Sequence, residues 1–273
     1  MTTADGGAHE ERPAGPGPDQ GREARDRELF DTIAAQYARK DVLPSTRHAR
    51  RWLLMRALRP ILASRGGSLG TVVEIGCGTG AQALYLHGLC ERFIGIDYSQ
   101  AQIDIGKRML AHLPRAELLC MNIKSEDLPT GVADLVLAVG ALHHMTDLDD
   151  VIACMRRLAK PGGRLVVMEP SRTNPVVQTL RWLRTKVDRT YSSEQHYFSR
   201  PELADLLRRG GASEVRVEFQ GFTSPPFAQV AFRPRWLAHG LSRLSTCAEP
   251  VCETILPGPL GGLAWDMVGY GRF

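Results

Sequence analysis

The stretch VVEIGCGTG, residues 72–80, constrains the fold of this chain more than any other feature. A short apolar run that leads into several glycines is typical of a buried strand followed by a tight turn, and such turns let a ligand approach the backbone. In open α/β sheets this turn joins the first parallel strand to its helix, at the sheet edge where ligands bind. The stretch therefore predicts an α/β fold with a ligand site at the glycine-rich loop, residues 76–80.

The rest of the chain alternates between strand-like and helix-like segments. Alternation on this scale predicts a parallel sheet that is covered by helices on both faces. Two later strands are separated by a long proline-containing stretch, which predicts an insertion between them. Strands are expected near 71–75, 92–97, 116–121, 133–138, 163–169, 213–222 and 263–273, and helices near 80–89, 99–112, 147–159, 176–190 and 200–210.

The residues before the first strand divide into two parts. Residues 1–26 are rich in Gly, Pro, Ala and charge, and we expect a disordered tail because they cannot bury enough apolar surface to offset the entropy of ordering. Residues 27–66 predict two lid helices, of which the first has Phe30 and Tyr37 on its apolar face. The core is expected at 67–222, and the insertion with the final strand of the same domain at 223–273.

Charge and cysteine content narrow the class of protein. The formal net charge of +4 over 273 residues is too small by itself to indicate a nucleic-acid partner. No apolar run is long enough to cross a bilayer and the N-terminus lacks a signal-peptide core, so a cytoplasmic location is expected. The six cysteines form no CxxC pair, which favours reduced thiols and no metal site.

The glycine-rich loop allows two ligands. Gly76, Gly78 and Ala81 satisfy the dinucleotide pattern, and Asp97 follows where a ribose-binding acid belongs, so a nicotinamide or flavin enzyme is one interpretation. Glu74 argues against it, because a carboxylate under the loop would lie near the two charges of a pyrophosphate. A ligand with ribose hydroxyls for Asp97, an amino group near Glu74 and no phosphate is S-adenosylmethionine.

Four consecutive sequence blocks resemble the motifs of class I S-adenosylmethionine-dependent methyltransferases. They are most similar to the small-molecule branch typified by the ubiquinone and menaquinone biosynthesis methyltransferases, and the resemblance covers roughly residues 26–222. It implies a Rossmann-like fold with a mostly parallel seven-stranded sheet in the order 3-2-1-4-5-7-6, N-terminal lid helices and a long insertion between the last two strands. The blocks are VVEIGCGTG, GIDYS (95–99), ADLVLAVGALHHM (133–145) and LAKPGGRLVVMEP (158–170).

The resemblance also implies a set of cofactor-binding residues. Asp97 would accept hydrogen bonds from both ribose hydroxyls, and the loop glycines would let the backbone pass close to the methionine part, where a Cβ would collide. For the adenine, Asn122 would accept a hydrogen bond and Ile123 would cover the ring, although Lys124–Ser125 also aligns with that motif. The predicted set is Tyr37, Glu74, Gly76, Cys77, Gly78, Gly80, Asp97, Tyr98, Asn122, Ile123 and Val139.

Methyl transfer needs little acid–base machinery, because it is an in-line displacement in which proximity can supply about 7–11 kcal/mol. A base is required only for a hydroxyl or a protonated amine, and it should lie at the ends of strands four and five. The candidate catalytic residues are His143, His144 and Glu169 there and His196 in the segment expected to roof the acceptor pocket. Packing or capping roles for these residues remain the alternative.

Basic helices that carry tryptophans bear on the acceptor. They occur in helix two, after strand five and at 232–244, and they suggest an anionic amphiphilic acceptor or contact with an acidic membrane surface. Solvated faces of ordinary amphipathic helices explain them equally well. No motif for nucleic-acid methylation is present, so no nucleic-acid partner is expected. The expected acceptor is a small, largely apolar metabolite such as a quinone, polyketide, aromatic or isoprenoid-derived compound, and the Ala-, Arg- and Gly-rich usage suggests secondary metabolism.

The segment FDTIAAQYARKDVLP, Phe30–Pro44, is the predicted lid. A methyl-transfer site must exclude water, while the open end of a parallel sheet leaves the cofactor exposed. This segment has a narrow apolar face and ends in a proline-containing connection that could act as a hinge. Tyr37 would reach the cofactor or acceptor, or else pack against helix two. A cofactor-binding regulator without chemistry is the alternative class of protein.

Overall fold

The computed structural model describes residues 18–187, 195–230, 233–256 and 258–273. Its centre is a seven-stranded sheet with the order β3-β2-β1-β4-β5-β7-β6. Strand β7 runs antiparallel to β5 and to β6, whereas β1 to β5 pair in parallel. The fold class predicted from the sequence is thus confirmed. The strands are β1 (Thr71–Ile75), β2 (Arg92–Asp97), β3 (Ala116–Cys120), β4 (Ala133–Val139), β5 (Ala159–Pro170), β6 (Ser213–Gln220) and β7 (Asp266–Arg272).

Helices cover both faces of the sheet. Two short 3₁₀ turns, Leu142–His144 and Gly258–Leu263, supplement them. The α-helices are α1 (Pro18–Asp41), α2 (Pro44–Ser64), α3 (Ala81–Leu86), α4 (Gln100–Met109), α5 (Leu148–Leu158), α6 (Pro175–Val187), α7 (Arg200–Arg209), α8 (Pro225–Gln229) and α9 (Arg235–Ile255).

The sheet has a core layer on each face because successive side chains of a strand point to opposite sides. Val73 and Ile75 of β1 join the layer that contains the apolar residues of α5 and α7, and Val72 joins the layer that contains those of α2 and α4. Full burial of one such side chain stabilises the fold by about 1.5–3 kcal/mol. The carboxyl ends of β1, β2, β4 and β5 are therefore held as a rigid edge on which a site can be built.

The N-terminal boundary differs from the prediction. Helix α1 begins at Pro18, so residues 18–26 are helical and do not belong to a disordered tail; residues 1–17 lie outside the described residues. Glu23 explains the difference, because its carboxylate accepts a hydrogen bond from Lys124 Nζ at 2.9 Å, a long-range contact that composition does not reveal. In helix α2, Leu54 and Leu58 are buried in the core layer against the sheet.

Several other element bounds differ from the prediction. Strand β5 begins at Ala159, four residues before the predicted start, because Ala159 pairs with Ala133 across a register shift. Helix α3 ends at Leu86 and Gly88 has a φ of +81°, which ends the predicted helix 80–89 early. The predicted end of α6 at 188–190 lies outside the described residues.

Three further properties concern membranes, thiols and metals. No helix in the described ranges combines the length and the apolar character needed to cross a bilayer. All six cysteines are within those ranges and are free thiols. No cluster of three or more His, Cys, Asp or Glu side chains suited to a metal ion occurs among the same residues.

Candidate active site

The glycine-rich loop follows β1 at the carboxyl edge of the sheet. Gly76, Gly78 and Gly80 all have left-handed backbone, with φ values of +61°, +56° and +67°. A Cβ on Gly76 would lie 2.6 Å from Ala141 Cβ, and one on Gly80 would lie 2.8 Å from Leu118 Cδ2. The glycines are thus required by backbone conformation and by protein packing. We expected a collision with a ligand as the reason, and the structure supplies a sufficient reason without one.

Asp97, the last residue of β2, holds the glycine-rich loop against the next helix. One carboxylate oxygen accepts a hydrogen bond from Gly78 N at 2.8 Å and the other from Ser99 N at 2.9 Å. Burial raises the pKa of this carboxyl, while the two backbone donors act in the opposite direction. Each oxygen keeps a further lone pair, so Asp97 can still accept two ligand hydroxyls.

Glu74 lies under the loop and is fully buried. Neither of its carboxylate oxygens has a hydrogen-bond partner among the described residues. Burial, and then the charge of Asp97, raises the pKa of Glu74 well above its usual value. A nearby cationic group would favour the ionised form of this carboxyl, whereas an anionic pyrophosphate would raise its pKa further. The Gly78 N–H that could bind a pyrophosphate is bonded to Asp97. Both observations favour a cationic ligand.

Replacement of Glu74 by Gln tests this electrostatic arrangement. Because the pKa of Glu74 is raised in the folded state, the wild type loses stability as the pH rises above about 4.5, the usual value. Glu74→Gln removes that loss, and we expect the cofactor-free variant to melt several degrees higher at pH 7, at about 2–4 °C per kcal/mol. The difference should shrink towards pH 4. Thermal melting across this pH range measures it, and a variant that melts lower than the wild type at pH 7 would contradict the assignment.

Helix α1 lies across the carboxyl edge of the sheet and is tied to it at three points. Each tie uses an acidic side chain of α1 and a donor on a loop that follows a different strand. A helix held in this way can close the mouth of the site, as the lid prediction requires. The ties are Lys124 Nζ to Glu23 Oε1 at 2.9 Å, Ser99 Oγ to Asp31 Oδ1 at 2.6 Å and Thr79 Oγ1 to Asp41 Oδ2 at 3.2 Å.

A row of neighbouring aromatic rings, in edge-to-face, tilted and stacked contacts, runs from α1 to the loop after β4. The Phe30 ring meets the edge of His144 at a centroid distance of 5.0 Å and that of Tyr37 at 6.2 Å. The ring of His144 lies 4.1 Å from that of His143, which stacks on Tyr197 at 5.6 Å. Tyr37, predicted to reach the ligand or to pack on helix two, therefore packs against Phe30 of its own helix. The row couples the position of α1 to that of the two histidines.

His143 and Glu169 form a buried hydrogen-bonded pair. His143 Nδ1 is 2.7 Å from Glu169 Oε2, and Glu169 is fully buried at the end of β5. The other oxygen of Glu169 accepts hydrogen bonds from Ala141 N at 3.0 Å and Leu142 N at 2.7 Å. With Nδ1 donating to the carboxylate, Nε2 is the atom left to take up a proton, as in other histidine–carboxylate pairs.

His144 differs from its neighbour. Its Nδ1 is buried without a hydrogen-bond partner in the described part of the chain. Burial, the adjacent His143 and Arg22 lower the pKa of His144 well below its usual value. His144 is therefore neutral near pH 7 and packs between His143 and Phe30, which makes it the weaker candidate base.

The other candidate residues lie apart from this pair. The His196 side chain is exposed with its ring against Phe198 at 4.9 Å, and only its backbone N–H reaches the pair, by donating to His143 O at 3.0 Å. The structure thus does not bring the His196 side chain into the predicted catalytic group. Because the sequence reveals only the order of residues, it could not show that the chain turns this ring outwards.

The adenine candidates are placed less favourably than expected. Asn122 is exposed and its Oδ1 accepts a hydrogen bond from Lys124 N at 2.9 Å. Ile123 is buried in the core layer on the α5 side. Lys124, which the alternative alignment included, binds Glu23 of α1 and Asp147. Their role in adenine binding stays a prediction.

Three further predicted cofactor residues lie in the glycine-rich loop or follow other strands at the same edge of the sheet. Cys77 is buried next to Gly95, and burial with the charges of Asp97 and Glu74 raises the pKa of its thiol well above the usual value. Tyr98 follows Asp97 and is partly buried, and Val139 ends β4. Contact with the cofactor stays a prediction for all three.

A separate groove of about 840 Å³ lies between α2 and α9. Its lining includes Trp52, Arg56 and Gly66, and Gly66 precedes β1 at the amino edge of the sheet. The glycine-rich loop follows β1 at the opposite edge. This groove is therefore not the candidate active site.

The sheet order, the antiparallel β7 and the glycine-rich loop after β1 define the class I S-adenosylmethionine-dependent methyltransferase fold. Residues 73–167 match the family model described as a methyltransferase domain. The chain thus contains a methyltransferase domain of the class that uses S-adenosylmethionine, which confirms the class and the cofactor predicted from the motifs.

Among curated proteins, the chain is similar to methyltransferases named for ubiquinone and menaquinone biosynthesis. It is 29% identical over 151 residues to the ubiquinone/menaquinone biosynthesis C-methyltransferase UbiE of Geobacter sulfurreducens, which covers 53% of this chain and 57% of that protein. It is 26% identical over 213 residues to the demethylmenaquinone methyltransferase of Lactiplantibacillus plantarum, covering 70% and 88%. The chain spans less than two thirds of the length of several of these curated relatives.

Solved structures share the fold at low sequence identity. A methyltransferase from Thermotoga maritima, described as a possible histamine N-methyltransferase, superposes with a TM-score of 0.62 at 20% identity and covers 90% of this chain and 98% of its own. The [4+2]-cyclase SpnF superposes with a TM-score of 0.53 at 19% identity, covering 95% and 97%. Because one fold supports both activities, the function must be argued from the site.

Proposed function

We propose that this protein transfers a methyl group from S-adenosylmethionine to a small, largely apolar metabolite. The observation that carries the proposal is the His143–Glu169 pair, which lies beside the glycine-rich loop: a Cβ on Gly76 of that loop would touch Ala141, and Ala141 N donates to Glu169. A base next to the cofactor loop suits a substrate that must lose a proton when it is methylated.

The residues at the loop suit this cofactor. Asp97 offers free lone pairs on two oxygens for the ribose hydroxyls, and the buried carboxyl of Glu74 favours a positively charged group nearby. When bound, the cofactor supplies a methyl group on an electrophilic sulfonium. Helix α1 would exclude water from that centre through its ties to three loops.

In the proposed mechanism, His143 acts as the base through Nε2. The Glu169 carboxylate orients the ring and stabilises the positive charge that forms on it, and the Ala141 and Leu142 amides keep that carboxylate in place. Tyr197 restricts the ring from one face. Transfer of the methyl group from the bound cofactor, which would break its bond to sulfur and leave S-adenosylhomocysteine, would then require an in-line position of the acceptor rather than further chemistry.

The acceptor class is proposed from the relatives and from the surroundings of the pair. The curated relatives include methyltransferases named for ubiquinone and menaquinone biosynthesis, and the rings of His144 and Tyr197 lie next to His143. A quinone, polyketide, aromatic or isoprenoid-derived acceptor would suit these rings. A cytoplasmic location and a role in secondary metabolism are further parts of the proposal and rest on composition.

A lipid-like or anionic amphiphilic acceptor is the second candidate. Helix α6, which carries Arg181 over the Tyr197 ring at 3.8 Å, exposes several large apolar side chains and contains no acidic residue. An acceptor with an apolar tail could lie along this helix while its polar head approaches the site. The exposed residues are Val176, Leu180, Trp182 and Leu183.

Incubation of the protein with methyl-labelled cofactor and candidate acceptors tests the proposed function. Label should pass to a protein-free organic extract, and fractionation of that extract separates the aromatic from the lipid-like acceptor. Binding of S-adenosylhomocysteine without label transfer in any extract would favour a regulator or another chemistry on the same fold. Tight binding of NAD with no binding of S-adenosylhomocysteine would end the methyltransferase proposal.

The lid is tested by truncation. A variant that begins at Pro18 keeps the whole of α1 and is the matched control, whereas a variant that begins at Val42 lacks it. We expect the longer deletion to abolish turnover, because the site is then open to water, while the core stays folded. Hydrogen exchange should also show stronger protection of residues 30–44 with S-adenosylhomocysteine than without it. Equal protection in the two states would contradict a lid that closes on the cofactor.

A further inference from the structure

Helix α9, which lies in the insertion between β6 and β7, has its polar and apolar sides reversed. The side that is buried against the body of the protein carries Ala238, Ser242, Thr246 and Glu249. Ser242 Oγ donates to Ser45 O at 2.9 Å on α2. The opposite side, called here the α9 outer face, carries large apolar residues that are exposed: Trp236 (76%), Leu237 (42%), Leu241 (43%), Leu244 (66%), Val251 (57%) and Ile255 (68%).

The spacing of these residues forms one continuous stripe. Intervals of three, four and seven residues from Leu237 to Ile255 repeat on one side of an α-helix. An ordinary surface helix would turn this stripe towards the core and its small polar residues towards water. Contiguous exposed apolar surface of this kind marks an interaction site.

The charges on α9 indicate the kind of partner. Arg235 and Arg243 are exposed and make no ion pair within the described ranges. The two acidic residues of the helix are engaged with the protein itself. Glu249 is buried and accepts a hydrogen bond from Thr223 N at 2.9 Å, and Glu253 binds Arg56 Nη2 at 2.5 Å. The outer face is therefore apolar with a positive border.

We propose that the α9 outer face docks on the surface of an anionic lipid bilayer. The apolar side chains and Trp236 would enter the interface between headgroups and acyl chains, and Arg235 and Arg243 would contact lipid phosphates. A second copy of the chain is a poorer occupant, because two outer faces would bring arginines together without exposed acids to pair them. The docking itself does not depend on the proposed function. Its purpose does: a bilayer would give the enzyme access to an apolar methyl acceptor dissolved in it.

Vesicle flotation tests the apolar part of the proposal. The wild type should float with vesicles that contain phosphatidylglycerol in phosphatidylcholine and remain behind with phosphatidylcholine alone. Trp236→Ser/Leu244→Ser should lower binding at least about tenfold, since interfacial binding scales with the apolar area inserted. Val42→Ser, which changes an exposed apolar residue (52%) in the connection between α1 and α2, is the matched control and should bind as the wild type does.

Two arginine variants test whether positive charge contributes to vesicle binding. Arg243→Gln should weaken binding to the anionic vesicles about fivefold, and added salt should have a similar effect. Arg208→Gln on α7 removes the same charge elsewhere and should change binding little. Equal binding to neutral and anionic vesicles would overturn the proposal. An equal loss of vesicle binding in the two arginine variants would also overturn it.

Sedimentation velocity without lipid tests whether a second copy of the chain covers the α9 outer face. A monomer supports the proposal, whereas a dimer that Leu244→Ser dissociates would show that a second copy covers the outer face and would overturn it. S-adenosylhomocysteine binding by each variant shows that the fold is intact. Because that binding is measured separately, failure of the methyltransferase proposal and failure of membrane docking are distinguishable.

Discussion

Replacement of His143 by Ala should lower kcat on the order of 10²–10⁴-fold, the contribution of a positioned general base. The buried bond from Nδ1 to Glu169 leaves Nε2 for the acceptor proton, and no other described histidine shares such a carboxylate. Glu169→Gln should lower kcat as well, since the ring loses the negative charge that stabilises its protonated form. Turnover of methyl-labelled cofactor at saturating acceptor measures both effects.

A comparison of turnover with cofactor binding separates a base from a histidine that only supports the fold. His143→Ala should lose kcat while its affinity for S-adenosylhomocysteine matches that of the wild type, because His143 is bonded to Glu169 and not to the glycine-rich loop. His196→Ala is the matched control, since that side chain is exposed. If kcat fell in His196→Ala and kept its wild-type value in His143→Ala, the assignment of His143 as the base would be wrong.

The second large effect is expected for Asp97→Ala. If the carboxylate binds both ribose hydroxyls, the variant loses two charged hydrogen bonds of about 1.5–3 kcal/mol each, and the affinity for S-adenosylhomocysteine should fall about 10²–10⁴-fold. The variant also leaves Gly78 N and Ser99 N without their acceptor, which loosens the glycine-rich loop. Titration calorimetry measures the change.

Asp104→Ala is the control for this titration. Asp104 lies on α4, is exposed and accepts a hydrogen bond from Gln100 Nε2, so its loss changes the net charge equally but leaves the loop intact. Its affinity for S-adenosylhomocysteine should match that of the wild type. An unchanged affinity in Asp97→Ala would mean that the ribose is held by another residue.

The core of the fold could be predicted because its signals are local. Apolar strands that alternate with amphipathic helices, and a glycine-rich loop after the first strand, depend on residues close together in the chain. Ser99, a residue type that commonly caps helices, is the N-cap of α4 and accepts a hydrogen bond from Gln102 N at 3.3 Å. The order of the sheet followed from the family resemblance, and the observed strand order with its antiparallel β7 agrees with it.

The two ends of the chain were harder to predict because distant contacts decide them. Composition favoured disorder for residues 18–26, but Glu23 gains a partner at Lys124, far along the sequence. The sequence indicated a basic helix with a tryptophan at 232–244, but it does not say which side of that helix faces the protein. Small polar residues of α9 pack on α2 instead, and the large apolar ones face outwards.

By itself, therefore, the sequence determined the class of fold, the cofactor loop and the positions of the acidic residues near it, since each depends on residue types at short spacing. Only the tertiary structure decided which of the candidate catalytic side chains contact each other and which lie apart. His143 and Glu169 meet because β4 and β5 are adjacent and parallel, so that their carboxyl ends lie at the same edge. The His196 ring points to the surface although its backbone touches the same loop, a distinction that exists only once the chain is folded.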